Sequence, residues 1–335
     1  MFLQRVAAFF TALMSIISAF FGINIPLGEK TEDFRVTTYA VADYIQDKNA
    51  LNSEDFNVIT NVILFGTAVF DENGNVTVKK ESLEAALNNL RDVIADRDIT
   101  VTLNLLGPQN YGGYTDYYDQ MDYQASLHSK AFSSGILEDN IIALINEYDL
   151  DGVHFDYEYP ISGTAWKDFN SFLVSLKSKM PDGKKLGVAV SDWDMGLDTK
   201  AMESVDYIEL MLYDNYDDEG RHSPVNVCTD SARKTVLKGL PSEKVDFGLP
   251  FYARPTDHDA YWYSYNGYYD KLDENGFFRD EAIEKSFWFN TPDIISEKTK
   301  FARENGFGGV MIWHYTCDLP VSHPDSLLRA ISEAL

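Results

Sequence analysis

Three side chains able to carry protons, His154, Asp156 and Glu158, occupy alternate positions in the stretch Asp-Gly-Val-His-Phe-Asp-Tyr-Glu-Tyr-Pro, residues 151–160. Val, Phe and Tyr alternate with them and a proline closes the run, which is the pattern of a half-buried strand. Strand side chains change face at every residue, so His154, Asp156 and Glu158 are predicted on one side and Val153, Phe155 and Tyr157 on the other. Carboxyl groups crowded on one face resist carrying two negative charges, and one of them keeps its proton to higher pH. Such a carboxyl can act as a general acid near neutrality. The competing reading of an isolated D-x-E is a solvated strand face with no chemistry, and the surroundings decide between the two.

The surroundings alternate strand and helix. Arg35–Ala40, Val58–Phe65, Ile99–Leu105, the acidic stretch, Leu186–Val190, Val205–Leu212, Val245–Phe251 and Gly309–Trp313 read as strands, several of them the continuous apolar runs of a parallel sheet. Between them apolar residues recur at helical spacing. Leu83, Leu87, Leu90 and Ile94 follow a possible cap at Ser82; Leu137, Ile141, Leu144, Ile145 and Tyr148 form a second stripe, and Phe169, Phe172, Leu173 and Leu176 a third. Further helices are predicted near Ser231–Leu237, Pro292–Ala302 and Ser326–Ala334, with Thr291 capping a proline at the first helical position. Eight strands alternating with helices predict a single-domain (β/α)8 TIM barrel, whose active sites lie at the C-terminal ends of the strands, where Glu158 falls. A doubly wound sheet is the rival, but no Gly-rich phosphate loop follows the first strand.

The 335 residues suffice for one such barrel. A formal charge of −25 without any basic run argues against a nucleic-acid partner and favours a neutral or cationic one. The two cysteines, Cys228 and Cys317, have no metal-ligand spacing; a disulfide and two free thiols are both open. After a lone Arg5, the charge-free apolar run from Val6 to Gly28 reads as an export signal or, at nearly bilayer-spanning length, as a membrane anchor. Residues 1–28 are therefore expected to be a leader or anchor and 33–335 the barrel, placed outside the cytoplasm either secreted or anchored through residues 6–28.

The acidic stretch resembles the D-x-x-D-x-D-x-E signature of glycoside hydrolase family 18, the chitinases and their relatives: Asp151, Asp156, Glu158, Tyr159 and Pro160 match, and His154 stands where the family has Asp. Other strand ends carry the resemblance further. Met211-Leu-Tyr-Asp214 is similar to the family's M-x-Y-D, Gly248-Leu-Pro-Phe-Tyr-Ala-Arg254 to its G-x-P-x-Y-G-R with Ala253 for Gly, and Gly308–Trp313 to the end of its eighth strand. Tyr39 and Phe65 match weaker positions in strands one and two. In the third strand Asn104-Leu-Leu-Gly107 replaces the family's Ser-x-Gly-Gly, whose Ser supports the Asp that is His154 here.

The resemblance implies hydrolysis of β-1,4-linked N-acetylglucosamine polymers, retaining and substrate-assisted, by a monomer with no metal or organic cofactor. Glu158 would be the acid and base. Asp156 would orient the substrate's acetamido group, with Tyr213 and Asp214 gripping it, Trp313 lying under the sugar, and Met211, Tyr39, Phe65 and Arg254 lining the site. His154, Asn104 and Asp151 would support it; His154 is expected to hold Asp156 as the anion, and His154→Asp to be tolerated. An endo-β-N-acetylglucosaminidase acting on N-glycans or peptidoglycan is the alternative within this chemistry, and a non-catalytic chito-oligosaccharide-binding lectin the alternative outside it. Two aromatic loops, Tyr111, Tyr114, Tyr117, Tyr118 and Tyr123 after strand three and Tyr261, Trp262, Tyr263, Tyr265, Tyr268 and Tyr269 after strand seven, are expected to stack on sugar. The segment Pro255–Asn290 is too short for the large insertion module of some family members, so an open groove is expected.

Overall fold

Residues 30, 31 and 33–335 are described by a computed structural model; the expected leader or anchor at 1–28 lies outside them. Among the described residues no helix is long and apolar enough to cross a membrane. Strand and helix alternate in (β/α)8 order, as expected, with main strands β1 Arg35–Val41, β2 Asn61–Phe70, β3 Thr100–Leu106, β4 Gly152–Asp156, β5 Lys185–Ser191, β6 Tyr207–Met211, β7 Val245–Pro250 and β8 Gly309–Trp313. The described residues form two compact units: a first unit of Thr37–Glu209 with His314–Thr316, and a second of Leu210–Trp313 with Cys317–Leu335 and the described residues before Thr37.

In the first unit β1 to β5 form consecutive parallel ladders, with Tyr39 opposite Ile63, Leu64 opposite Leu103, Asn104 opposite His154, and His154 opposite Gly187. Strand β4 shows why its register is fixed. Phe155 meets Phe169 and Phe172 of helix α4, Gly163–Lys179, at ring separations of 6.1 and 5.4 Å, and Tyr157 stacks at 4.0 Å on His128 of helix α2, Tyr117–Ser133. Burying each such ring contributes about 1.5–3 kcal/mol, and a one-residue slip would send the aromatic rings to the face that holds His154. Asp151 fixes the strand's start, its carboxylate accepting from the Val101 amide at 2.8 Å while its own amide donates to the Val101 carbonyl at 3.0 Å. Helices α1, Lys80–Ile94, and α3, Ile136–Glu147, bury the predicted Leu and Ile stripes.

Three local expectations are corrected. Helix α1 begins two residues before Ser82, whose hydroxyl donates to Asp43 at 2.5 Å instead of capping the helix. The second strand runs from Asn61 to Phe70 instead of Val58–Phe65; Val58 lies at the end of a short 3-10 turn. Helix α2 occupies what reads in the sequence as the tail of an aromatic loop, because Asp116 caps it through the amides of Tyr118 and Asp119.

The second unit pairs β7 and β8 in parallel, with Trp313 opposite Pro250. Gly248 of β7 is there for close approach: a Cβ at that position would lie 2.4 Å from the Leu210 carbonyl and 3.2 Å from the Tyr213 ring. Helices α6 Val225–Leu237, α7 Pro292–Glu304 and α8 Leu327–Ala334 complete it; α5, Thr199–Ser204, belongs to the first unit. Between β7 and α7 the chain makes only 3-10 turns and two short antiparallel pairs, Tyr252–Ala253 with Tyr263–Ser264 and Phe277–Asp280 with Lys285–Trp288. Cys228 and Cys317 are both buried and are not joined in a disulfide.

Candidate active site

In the first unit, the face of β4 opposite the aromatic rings presents His154 and Asp156, followed in the loop by the exposed Glu158. Asp156, the last residue of the strand, has a buried Oδ1 without a hydrogen-bond partner among the described residues. Burial, then the charge and hydrogen bond of Glu158, then the charge of Glu209, push its pKa well above the carboxylate range. The pair therefore tends to hold a proton, as the spacing predicts. Burial, then the neighbouring Tyr118, Asp194 and Glu158, raise the pKa of Tyr117. Trp193, 59% exposed, lies 4.5 Å from the Tyr159 ring.

His154 does not serve Asp156 as expected. Its Nε2 lies 2.8 Å from Oε2 of Glu209 on β6, and its Nδ1 lies 3.1 Å from Nδ2 of Asn104. Both partners are buried, so the imidazole fills its hydrogen-bonding capacity beneath Asp156. Tyr39 sets its ring edge against the imidazole at 5.6 Å and against Phe65 at 5.8 Å, which brings those two strand-end residues into the same cluster. Asn104 is a partner of His154, as the resemblance implies, while Asp151 stands at the opposite end of β4 and acts on the strand alone. Glu209 escaped the sequence reading, although a lone acid in the apolar run Val205–Leu212 is the signal that could have found it.

In the second unit, Met211 is buried at the end of β6 and Tyr213 follows, its ring 6.1 Å from that of Tyr252. Asp214 adopts a left-handed φ of 58°, and its amide donates to Nε2 of His222 at 3.1 Å. Its carboxylate is a convergence point. Tyr252 donates its hydroxyl at 2.7 Å, Arg254 donates through Nε to Oδ1 and through Nη2 to Oδ2 at 2.8 Å, and His222 Nε2 lies 3.0 Å away. Burial pushes the Asp214 pKa up, but the hydrogen bonds and charges of His222, Arg254 and Tyr252 outweigh it and hold the carboxyl well below its usual range.

Behind it Lys298, fully buried, donates to the Ser223 carbonyl at 2.6 Å and to Asn290 at 2.5 Å, and Asn290 donates to the His222 carbonyl at 3.0 Å. Tyr252 is the tyrosine of the Gly248–Arg254 motif, whereas His222 and Lys298 belong to no motif, since nothing in the sequence pattern says that a loop beyond β6 folds back on Asp214. Trp313 is half-buried at the end of β8, its carbonyl accepting from the Phe251 amide at 2.8 Å.

The expected aromatic platforms divide. Tyr111, Tyr114, Tyr117 and Tyr118 are exposed in the first unit, and Tyr261 and Trp262 in the second. Tyr263, Tyr265 and Tyr268 are packing residues: Tyr263 stacks at 4.4 Å on both Tyr268 and Phe287, and Tyr265 is 2% exposed. The short antiparallel insertion is too small to form a core without them.

Residues 15–318 match the sequence pattern of the family described as Glycosyl hydrolases family 18. Endochitinase 1 of Metarhizium robertsii is 22% identical over 254 residues, which are 58% of this chain and 58% of that protein. Chitinase 1 of Aphanocladium album is 21% identical over 260 residues, 62% of this chain and 61% of that one. The chain thus spans about three fifths of the length of these relatives. Among solved structures, the chitinase ChiB of Flavobacterium johnsoniae superposes with a TM-score of 0.69 at 22% identity, covering 92% of this chain and 94% of that one. A chitinase from Bacteroides thetaiotaomicron gives 0.69 at 19% identity, covering 92% and 96%. These likenesses show the fold, a (β/α)8 barrel.

Proposed function

The chain belongs to glycosyl hydrolase family 18, and from that premise we propose that it hydrolyses β-1,4-linked N-acetylglucosamine polymers, chitin or chito-oligosaccharides, with retention and by substrate assistance. The observation that carries the proposal is the carboxyl pair at the end of β4, in which the half-buried Asp156, its Oδ1 fully enclosed, has a raised pKa and lies beside the exposed Glu158. Two carboxyl groups that share a proton can hand it from one to the other. As the acetamido N–H of the substrate arrives at Asp156, the proton of Asp156 passes to Glu158, which protonates the leaving glycosidic oxygen. The acetamido oxygen attacks its own anomeric carbon, and the Asp156 anion stabilises the positive charge of the resulting oxazolinium ion. Glu158, now a carboxylate, then takes a proton from the attacking water.

Tyr213 and Asp214 are assigned to the acetamido group, and Trp313 to stacking under the sugar, on their match to family motifs; Met211, Tyr39, Phe65 and Arg254 complete the proposed lining. We place the reaction outside the cytoplasm because of the apolar run at residues 6–28, which a topology reporter fused after it would check.

Release of reducing ends from fully acetylated and fully deacetylated chito-oligosaccharides, with an N-glycopeptide and peptidoglycan alongside, tests the reading. Cleavage confined to acetylated chito-oligosaccharides is expected, since a deacetylated sugar has no internal nucleophile. Preference for the glycopeptide or peptidoglycan would move the substrate within the same chemistry. Binding without cleavage of any of them would make the protein a lectin.

A further inference from the structure

Beneath the Asp156–Glu158 pair lies a carboxylate that neither the family motifs nor the proposed mechanism uses. Glu209 is 1% exposed, as is His154, its partner at 2.8 Å. An amide NH2 can only donate, so the Asn104 Nδ2 at 3.1 Å requires His154 Nδ1 to accept and places the ring proton on Nε2, which donates to Glu209. In that tautomer His154 offers Glu209 an N–H donor and no positive charge. Room for the ring comes from Gly187 of β5, opposite His154 in register; a Cβ there would stand 2.6 Å from the imidazole Cδ2. Asn104, His154, Gly187 and Glu209, on four successive strands, form one packed group. The ionisable groups around it are Tyr39, edge-on to the imidazole, and Asp156 two residues along β4, with Glu158 beyond.

We propose that Glu209 is a positioning residue of the active site: held in place by His154, its buried carboxylate keeps the shared proton on the Asp156–Glu158 pair. The inference rests on the hydrolase reading above. Glu209 is among the charges that raise Asp156, which agrees with it. A fixed negative charge beside a pair that shares one proton makes both the uptake of a second proton and the loss of the first occur at higher pH. The same geometry reverses the expectation that His154→Asp is tolerated, because the new carboxylate would face Glu209 where an N–H donor now stands.

The test uses the full chain and a tetramer of N-acetylglucosamine. Glu209→Gln keeps the shape and an acceptor for His154 but removes the charge, so both limbs of the kcat/KM profile should move to lower pH by about one unit. His154→Asp should lose most activity, and His154→Asp combined with Glu209→Gln should recover much of it. A purely packing role would leave the limbs in place and make the two substitutions additive, and that result would overturn the proposal. Nitrogen NMR of the wild-type imidazole reads the arrangement without catalysis: a neutral Nε2–H ring from pH 5 to 8 supports it, and an imidazolium or an Nδ1–H ring overturns it. Should the wild type cut nothing, the hydrolase reading fails, while the pH dependence of the thermal midpoint of Glu209→Gln against wild type still reports the buried charge. A constant difference in midpoint at all pH values would then count against Glu209 as a charged group.

Discussion

Asp156 and Asp214 are the same residue type, one at the end of β4 and the other three residues past the end of β6, and their surroundings drive them in opposite directions. Asp156 is enclosed with an unpartnered oxygen and two further carboxyl groups, so its neutral form is favoured. Asp214, with its side chain 40% exposed, collects donors from a guanidinium and a phenol, so its charged form is favoured. Position at a strand end therefore does not decide what a carboxyl group does; the donors facing it do. In the proposed reaction the first arrangement stores a proton and the second fixes an anion, and substitutions that exchange these characters separate the two.

The largest effect is expected on the proton-storing side. Glu158→Gln removes the acid while keeping the shape, and turnover should fall roughly 10²- to 10⁴-fold with binding of the oligosaccharide preserved. Steady-state rates and calorimetric titration of the same variant check this. A variant that cuts at the wild-type rate would remove Glu158 from the chemistry.

A smaller loss is expected on the anion-fixing side. Arg254→Leu takes away two charge-assisted donors to Asp214, and such bonds are worth about 1.5–3 kcal/mol, so kcat/KM should drop about 10- to 100-fold. Acid stability should change with it. The Asp214 carboxyl titrates lower in the folded protein than its ordinary 3.8, so its contribution is present above that value and is lost as pH falls below it. Without Arg254 the folded pKa rises towards 3.8 and less stability is contributed at neutral pH. Circular dichroism during acid titration should show the variant unfolding at higher pH than wild type; coincident acid transitions would show that Arg254 does not hold the anion.

The comparison also explains what the sequence could disclose. The β4 face was legible because a two-residue period sorts side chains by itself, so His154, Asp156 and Glu158 could be grouped before any coordinates. The alternation of strand and helix was legible for a similar reason, each apolar stripe carrying its own period. The partners were not. Glu209 lies 55 residues from His154 and meets it only because two strands present those positions to one interior, and Lys298 lies 75 residues from the carbonyl of Ser223 that it holds. The aromatic loops show the opposite error. Tyr263 and Tyr268 have the composition of a sugar platform, but composition cannot tell an exposed ring from one stacked inside a small β insertion.

The smallest expected effect is on stability, and it bears on the Asp156 half of the comparison most directly. The folded pKa of Asp156 is raised above its ordinary 3.8. The stability linked to that shift is fully present below the unfolded pKa and is lost as pH rises through the folded one, because the native state then either retains a proton that the unfolded chain has released or buries a charge. Asn is isosteric with the protonated carboxyl and neutral at every pH, so Asp156→Asn is free of this loss. The variant should therefore melt higher than wild type at pH 7, by about 2–4 °C for each kcal/mol relieved, with the difference shrinking towards zero near pH 4, even as its activity falls. Thermal unfolding of both proteins from pH 4 to 8 measures this. A pH-independent difference, or a variant less stable at pH 7, would mean that Asp156 sits comfortably as an anion, and the contrast with Asp214 would disappear.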